Sequence, residues 1–159
     1  MTRVQDLLLI YASTSGRTRT LFRELAAHTG PRVALLELGP EPPVLPAVPV
    51  NTVIFGSPTY GRGELHHRWA EHLPSVLKGL RHVRTVGVIG IGDSRYHAHT
   101  YCGSLKPFSV AVKQGMAREV SCQTLCLDVR AFPLWPQQTQ KWLASLLTDV
   151  WSMDRAGNR

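Results

Sequence analysis

Residues 7–20 read LLLIYASTSGRTRT. An apolar run ends in a turn that carries four hydroxyl side chains around a single glycine, and a helical pattern follows directly. This order predicts a buried strand, a tight turn and a helix N-terminus. The free N–H groups and the positive end of the helix dipole at such a position attract phosphate. Residues 13–18 are therefore a candidate anion site, although serine and threonine are also ordinary helix caps.

Two common phosphate-binding motifs do not occur at this turn. The spacing GxxxxGK[ST] is absent, which argues against a nucleoside-triphosphate loop. The spacing GxGxxG is absent as well, which argues against the dinucleotide-binding fingerprint. The candidate anion site is thus of a different kind from either of these.

The rest of the chain alternates short apolar runs with helical patterns. Strands are predicted at residues 7–11, 33–38, 52–56, 83–91 and 124–129, the last with an alternative start at Val120. Helices are predicted at 17–28, 64–77, 101–114 and 135–151, where Pro107 either kinks the third helix or marks its true start and the fourth begins at Trp135 or Pro136. Five such strands, mostly separated by helices, predict an α/β domain with a doubly wound parallel sheet and helices on both faces. Residues 39–49 contain five prolines, so we expect this crossover to be irregular rather than helical. We expect one domain over 1–152 and a frayed tail at 153–159.

Composition and charge narrow the class of protein. The chain has 159 residues, 43% of them hydrophobic and 18% charged, as is usual for a globular domain. No apolar run reaches the ~20 residues of a membrane span, and the N-terminus does not read as a signal peptide. We therefore expect a cytoplasmic protein that binds no membrane. The net charge of +7 favours an acidic partner or an anionic ligand. The basic residues are scattered without a nucleic-acid motif, so no nucleic-acid partner is predicted.

The three cysteines are Cys102, Cys122 and Cys126. Cys122 and Cys126 fall on the same side of one predicted strand, too far apart to bridge each other. We interpret the cysteines as buried apolar side chains in a reducing compartment, rather than as a disulfide or a metal pair.

Three of the seven histidines, His66, His67 and His72, fall on one predicted helix. Their spacing does not match the HExxH pattern of a zinc site. We interpret them as part of a solvated helix face, and no metal site is predicted.

Three loops are candidates for ligand binding, because parallel sheets bind ligands outside the carboxyl ends of their strands. The loops are 13–18, 57–63 and 92–103. Tyr60 lies in the second and Tyr96 in the third, each among glycines and turn residues. Two tyrosines could enclose a flat ring, and stacking adds about 1 kcal/mol to area burial. Tyr60 could instead be a partly buried loop anchor. A phosphate site with two aromatic neighbours is typical of flavin mononucleotide (FMN) binding.

With STSGRT, GSPTYGRGEL and GDSRY…YCG in register along nearly the whole chain, the sequence resembles the flavodoxins. The closing helix with Trp142 is similar too, and the fifth strand lacks the insertion of long-chain members, so the chain looks like a short-chain flavodoxin. The resemblance implies strand order 2-1-3-4-5 and FMN bound without metal. It also implies a monomeric electron carrier without catalytic residues, working between a flavodoxin reductase and a redox acceptor.

The resemblance also implies roles for single residues. Ser13 to Thr18 would hold the phosphate, with Arg17 the least certain, and Thr59 would add a contact. Tyr60 and Tyr96 would flank the ring. Asp93 and the N–H of Cys102 would bind its pyrimidine edge, and the peptide of Gly61 would flip on reduction. The full predicted cofactor-binding set is Ser13, Thr14, Ser15, Gly16, Arg17, Thr18, Ser57, Pro58, Thr59, Tyr60, Gly61, Gly63, Gly92, Asp93, Tyr96, Tyr101 and Cys102.

The chain departs from the flavodoxin pattern in its charge and in one loop. Most flavodoxins are strongly acidic, whereas this chain is basic, and residues 97–100 lengthen the third loop. Arg62 and Arg95 flank the predicted site. A charge ~6 Å from the ring, at an effective dielectric of ~40, is worth ~1.4 kcal/mol, or ~60 mV for one electron. We therefore expect the semiquinone/hydroquinone potential of this chain to be less negative than that of a typical flavodoxin.

Three other functions stay open on the sequence. The basic charge also fits a flavodoxin-like activator of a manganese-dependent ribonucleotide reductase. A flavodoxin-like binding or regulatory module would use the same pocket without FMN. An NAD(P)H-dependent quinone reductase is the third, although no second substrate motif is found.

Overall fold

The computed structural model describes residues 5–13, 16–29, 32–46, 50–58, 64–95, 102–116 and 120–157. The strands are β1 (Gln5–Tyr11), β2 (Val33–Glu37), β3 (Val50–Pro58), β4 (Thr85–Gly92) and β5 (Ser121–Asp128). The helices are α1 (Arg17–Thr29), α2 (His67–Gly79), α3 (Leu105–Gly115) and α4 (Trp135–Gly157), and a 3-10 helix (Val129–Leu134) leads into α4.

The strands form one parallel sheet in the order β2-β1-β3-β4-β5. This order confirms the predicted fold class. The chain first moves outward from β1 to β2 and then returns past β1 to β3, after which it continues in the other direction. The strand order therefore reverses between β1 and β3, where ligands of such sheets usually bind.

The sheet separates two apolar cores, because successive side chains of a strand point to opposite faces. One face packs against α2 and α3, and the other against α1 and α4. The first core includes Leu8, Ile10, Trp69 and Phe108; the second includes Leu7, Leu9, Phe22 and Trp135. Every residue of β4 is buried, as expected for an inner strand covered on both sides.

The connection between β2 and β3 has no regular secondary structure over residues 38–46, in agreement with its prolines. It nevertheless packs on the core. A Cβ atom built on Gly79 of α2 would lie 2.5 Å from Cδ1 of Leu45, so the two segments are in close contact. Nε2 of His72 lies 3.0 Å from the carbonyl oxygen of Gly39. The segment thus takes the covering role that a crossover helix would otherwise have.

Several helix boundaries differ from the predicted ones. The backbone of α4 is helical to Gly157, whereas the predicted helix ends at Trp151. Helix α3 begins at Leu105 rather than Tyr101, with Pro107 in its first turn, where a missing N–H costs no helical hydrogen bond. Helix α2 continues through Pro74 to Gly79.

The predicted solvated histidine face is wrong for two of its three members. His66 and His72 are only 2% and 7% exposed. Each has a polar partner that makes burial tolerable: Nδ1 of His66 accepts from the N–H of Arg68 at 3.0 Å, and His72 meets Gly39. His67 is exposed.

The interpretation of all three cysteines as buried thiols is wrong as well, because Cys102 and Cys126 form a disulfide. Spacing along one strand excludes a bond between Cys122 and Cys126, whereas the bond that forms joins a loop to a strand. Cys122 is a free, half-buried thiol. Among the described residues, no helix is both long enough and apolar enough to cross a membrane.

Candidate site at the carboxyl edge of the sheet

The ends of β1, β3, β4 and β5 lie side by side. Tyr11 pairs with Gly56, Pro58 with Ile91, and Gly92 with Asp128. The three loops singled out in the sequence therefore start from one edge of the sheet, at the switch in strand order.

The first loop is built to begin a helix. The N–H of Gly16 donates to Oγ of Ser13 at 3.1 Å, and the Gly16 carbonyl accepts from the N–H of Thr20 at 3.0 Å. Gly16 has φ +86°, a conformation that suits glycine and strains other residues. The N–H groups of the first turn of α1 have no partner within the helix and point out of its N-terminus. Thr18 is buried and Arg17 exposed, while Thr14 and Ser15 lie outside the described residues.

The charges around this helix start are mostly positive. The first turn of α1 contains no acidic residue. Arg19 is held by Glu37 on β2, with Nε 2.6 Å from Oε1, and hydrogen bonding to Arg19 lowers the pKa of Glu37. The Arg19 charge is therefore compensated, whereas Arg17 stands exposed at the opening of the helix. Together with the helix dipole, Arg17 favours an anion at this position.

The second loop follows the end of β3, where Gly56 is closely packed and hydrogen-bonded. The Gly56 carbonyl accepts hydrogen bonds from Nε1 of Trp69 at 2.9 Å and from the N–H of Ala12 at 3.1 Å. A Cβ on Gly56 would lie 2.3 Å from the ring of Phe22, so only glycine allows this close packing. Ser57 is buried, and its Oγ donates to the Pro58 carbonyl at 3.1 Å. Thr59, Tyr60, Gly61 and Gly63 lie outside the described residues.

The third loop begins with a local ion pair. Nε and Nη2 of Arg95 lie 2.9 and 2.6 Å from Oδ1 and Oδ2 of Asp93, and the Arg95 N–H also donates to Oδ1 at 3.0 Å. These hydrogen bonds from Arg95 lower the pKa of Asp93 to about 2. The carboxylate is thus ionised and engaged, so a ligand contact by Asp93 would compete with Arg95 or use the Asp93 backbone.

Asp128, at the end of β5, binds the first residues of this loop. It was not among the site residues predicted from the sequence. Its carboxylate accepts from Oγ of Ser94, from the Ser94 N–H at 3.3 Å and from the Arg130 N–H at 3.1 Å. Desolvation raises the pKa of Asp128, but these hydrogen bonds outweigh it and the net shift is downward. An aspartate between a strand and a helical segment is a recognisable cap signal that could have identified it.

The far end of the third loop is fastened by the Cys102–Cys126 disulfide, whose Cα atoms are 5.9 Å apart. Cys126 lies opposite Gly90 of β4 in the sheet register. Loop 92–103 is therefore fastened to β5 at both ends, by Asp128 and by Cys126. The predicted contact from the N–H of Cys102 stays a prediction, and Tyr96 and Tyr101 lie outside the described residues.

Nine of the predicted site residues are described, and all of them lie at or beside this edge of the sheet. They are Ser13, Gly16, Arg17, Thr18, Ser57, Pro58, Gly92, Asp93 and Cys102. Within the described part of the chain, no group of three or more histidine, cysteine or acidic side chains could hold a metal ion.

No family model matches the sequence, and no curated protein matches it. The structure, in contrast, resembles solved flavodoxins. One is the Fusobacterium nucleatum flavodoxin bound to flavin mononucleotide, with a TM-score of 0.72 and 16% identity over 91% of this chain and 98% of that one. A cysteine-to-alanine mutant of flavodoxin from Pseudomonas aeruginosa has a TM-score of 0.62 and 20% identity over 87% and 95%. Oxidised Flavodoxin 2 from Bacillus cereus has a TM-score of 0.57 and 22% identity over 87% and 96%.

These structures cover most of both chains in each comparison, and their identities are low. The likeness therefore concerns the course of the backbone, including the strand order described above. It agrees with the resemblance that the three sequence motifs suggested. The chain has the flavodoxin fold.

Proposed function

We propose that this chain binds FMN and carries electrons between a reductase and a redox acceptor. The observation that carries the proposal is that the strands before the three loops end side by side, next to the switch in strand order. The first loop is shaped as a helix start that would hold a phosphate. The F. nucleatum flavodoxin of the same fold is described as bound to flavin mononucleotide.

The described residues fit the phosphate end of FMN. Gly16 opens α1 so that the N–H groups of the first turn face outward, and Arg17 adds an exposed positive charge. A terminal monophosphate can accept several charge-assisted hydrogen bonds there, each worth ~1.5–3 kcal/mol. The isoalloxazine ring of bound FMN supplies the electron-transfer chemistry, and the protein supplies binding and electrostatics.

The charges near the ring site affect the proposed redox potential. Arg95 was expected to make it less negative. Because Arg95 forms a two-oxygen ion pair with Asp93, the pair carries no net charge at neutral pH. We therefore expect Arg95 to shift the redox potential by less than the ~60 mV of a lone charge. The hypothesis that a basic side chain makes the potential less negative is then tested mainly by substituting Arg62.

The net charge of +7 supports an acidic redox partner. It also fits the activator of a manganese-dependent ribonucleotide reductase as a second candidate. The two differ in what the reduced protein does with oxygen. Substantial superoxide production by the reduced, FMN-loaded protein would favour the activator, and slow oxidation would favour the carrier.

The test is a pair of binding titrations on the purified protein, with FMN and with riboflavin, which lacks the phosphate. We expect FMN to bind about a hundredfold more tightly, since two charge-assisted hydrogen bonds to phosphate are worth ~3 kcal/mol. Arg17→Gln should weaken FMN binding and leave riboflavin binding unchanged. Arg81→Gln, an exposed arginine beyond the end of α2, is the matched control. A colourless protein that takes up neither compound contradicts the proposal and favours a binding module.

A further inference from the structure

The Cys102–Cys126 disulfide lies at the edge of the sheet rather than among its inner strands. β5, which carries Cys126, is one of the two edge strands of the sheet. Both cysteines are half-buried, so the bond is not sealed inside either apolar core. The disulfide is therefore in a position that a small reactant could reach.

A groove of about 440 Å³ runs between α3 and β5 and begins at this disulfide. Cys102 lines the groove, whereas Cys126 does not. Its described lining residues include no carboxylate and two exposed lysines, Lys106 and Lys113, which lie on one face of α3 together with Ser109. The two lysines give the groove a positive potential next to a disulfide sulfur.

The third cysteine provides a contrast within the same strand. Cys122 is half-buried, and burial raises the pKa of its thiol despite the opposing effects of a hydrogen bond with Ser109 and of the Lys113 charge, so little of it is the reactive thiolate. It lies four residues from Cys126, ~13 Å along the strand, which is too far for direct exchange. Cys122 is therefore the natural internal control for the reactivity of the pair.

We propose that the Cys102–Cys126 disulfide is a site of thiol–disulfide exchange, and that the groove along α3 admits an anionic low-molecular-weight thiol to it. The thiolate RS⁻ attacks Sγ of Cys102, the Cys102–Cys126 bond breaks, and Cys126 leaves as a thiolate that takes a proton from water. A second RS⁻ then attacks the sulfur of R in the mixed disulfide and forms RSSR. Cys102 leaves and is protonated. Two electrons pass from two thiols to the protein disulfide.

The exchange would also regulate the cofactor site, a consequence that rests on the proposed function. With the disulfide broken, Ser94 keeps its hydrogen bonds to Asp128, whereas Cys102 loses its bond to β5. Cys102 then has to be ordered when FMN binds, and the entropy that this costs lowers the affinity. We expect the reduced protein to bind FMN about three- to tenfold more weakly than the oxidised protein.

The first experiment measures exchange without reference to FMN. The purified protein is incubated with anionic 2-mercaptoethanesulfonate or neutral 2-mercaptoethanol, and mixed disulfide is followed by mass spectrometry at matched thiolate concentrations. At low salt we expect the anionic thiol to react about three- to tenfold faster, with the preference lost at high salt. Lys106→Gln with Lys113→Gln should remove the preference, and Lys78→Gln on α2 should keep it. Equal rates for the two thiols, or three free thiols in the protein isolated without reductant, would overturn the proposal.

The second experiment measures FMN affinity in the oxidised and reduced full-length protein and in two serine variants. Cys126→Ser should bind FMN as weakly as the reduced wild type in either redox state. Cys122→Ser should keep the wild-type response. Equal FMN affinity in both redox states of the wild type would refute the regulatory consequence. Absence of FMN binding in every state would refute the proposed function instead, and the exchange rates would still decide the thiol site.

Discussion

His66 allows a quantitative test of how the second loop is joined to α2. It is the N-cap of that helix, is 2% exposed, and accepts the Arg68 N–H at 3.0 Å through Nδ1. Burial, together with the nearby positive charges of His67 and Arg68, lowers the pKa of His66 from 6.5 to about 4. Protonation would both charge a buried ring and remove the acceptor from the helix cap.

The sign of the effect follows from proton binding in the two states. Between pH 6.5 and about 4 the unfolded chain holds a proton on His66 that the folded chain does not. The free energy of unfolding therefore falls as the pH is lowered through this window. For these two pKa values the contribution of His66 between pH 7 and pH 5 is about 2 kcal/mol.

The assay is urea unfolding at pH 7 and pH 5 for the wild type, His66→Asn and His67→Asn. Asparagine keeps an acceptor at the N-cap and does not titrate. We expect the wild type to lose about 2 kcal/mol more than His66→Asn between the two pH values, because carboxylates contribute equally to both. His67→Asn removes one of the two neighbouring charges that lower the His66 pKa, so its loss should lie between those of the wild type and His66→Asn. Equal losses in the wild type and His66→Asn would show that His66 is not held neutral by the fold.

Three further substitutions test the base of the site. Gly56→Ala places a Cβ 2.3 Å from the ring of Phe22 and should cost about 1–3 kcal/mol in urea unfolding; an unchanged midpoint would contradict the close packing. Trp69→Phe removes the donor to the Gly56 carbonyl and leaves a void, so we expect a loss of about 2–4 kcal/mol by the same assay, and a loss under about 1 kcal/mol would count against it. Asp128→Asn should weaken FMN binding about tenfold because it disturbs the hydrogen bonds to Ser94, and an unaltered Kd would show that this fastening does not affect the cofactor.

The sheet was predictable because its strands are short apolar runs set between helical patterns, a local signal. The strand order came from the flavodoxin resemblance, since periodicity alone does not say which strands are neighbours. The burial of His72 was not predictable, because its acceptor, the Gly39 carbonyl, is 33 residues away in an irregular segment. The same limit applies to the disulfide, which depends on Cys126 lying opposite Gly90 in a register that no local pattern specifies.

The site was predictable to a similar extent. The helix start at Gly16 was visible as a glycine among hydroxyl residues, and the structure gives that glycine a positive φ. The pairing of Asp93 with Arg95 was missed, although the two are only two residues apart, because the resemblance assigned Asp93 to a ligand instead. Asp128 was missed because it lies on β5, outside the three loops that the strand pattern singled out.

The irregular β2–β3 connection has a consequence for the unfolded chain. A crossover helix satisfies its own backbone groups, whereas residues 38–46 are ordered without a helix of their own. Pro40, Pro42, Pro43 and Pro46 reduce the number of conformations that the unfolded segment can adopt, by about 0.4–1 kcal/mol of free energy for each compatible proline. The folded segment is thus stabilised partly because its unfolded form has fewer accessible conformations. This effect of the prolines adds to the contacts that the segment makes with Gly79 and His72 of α2.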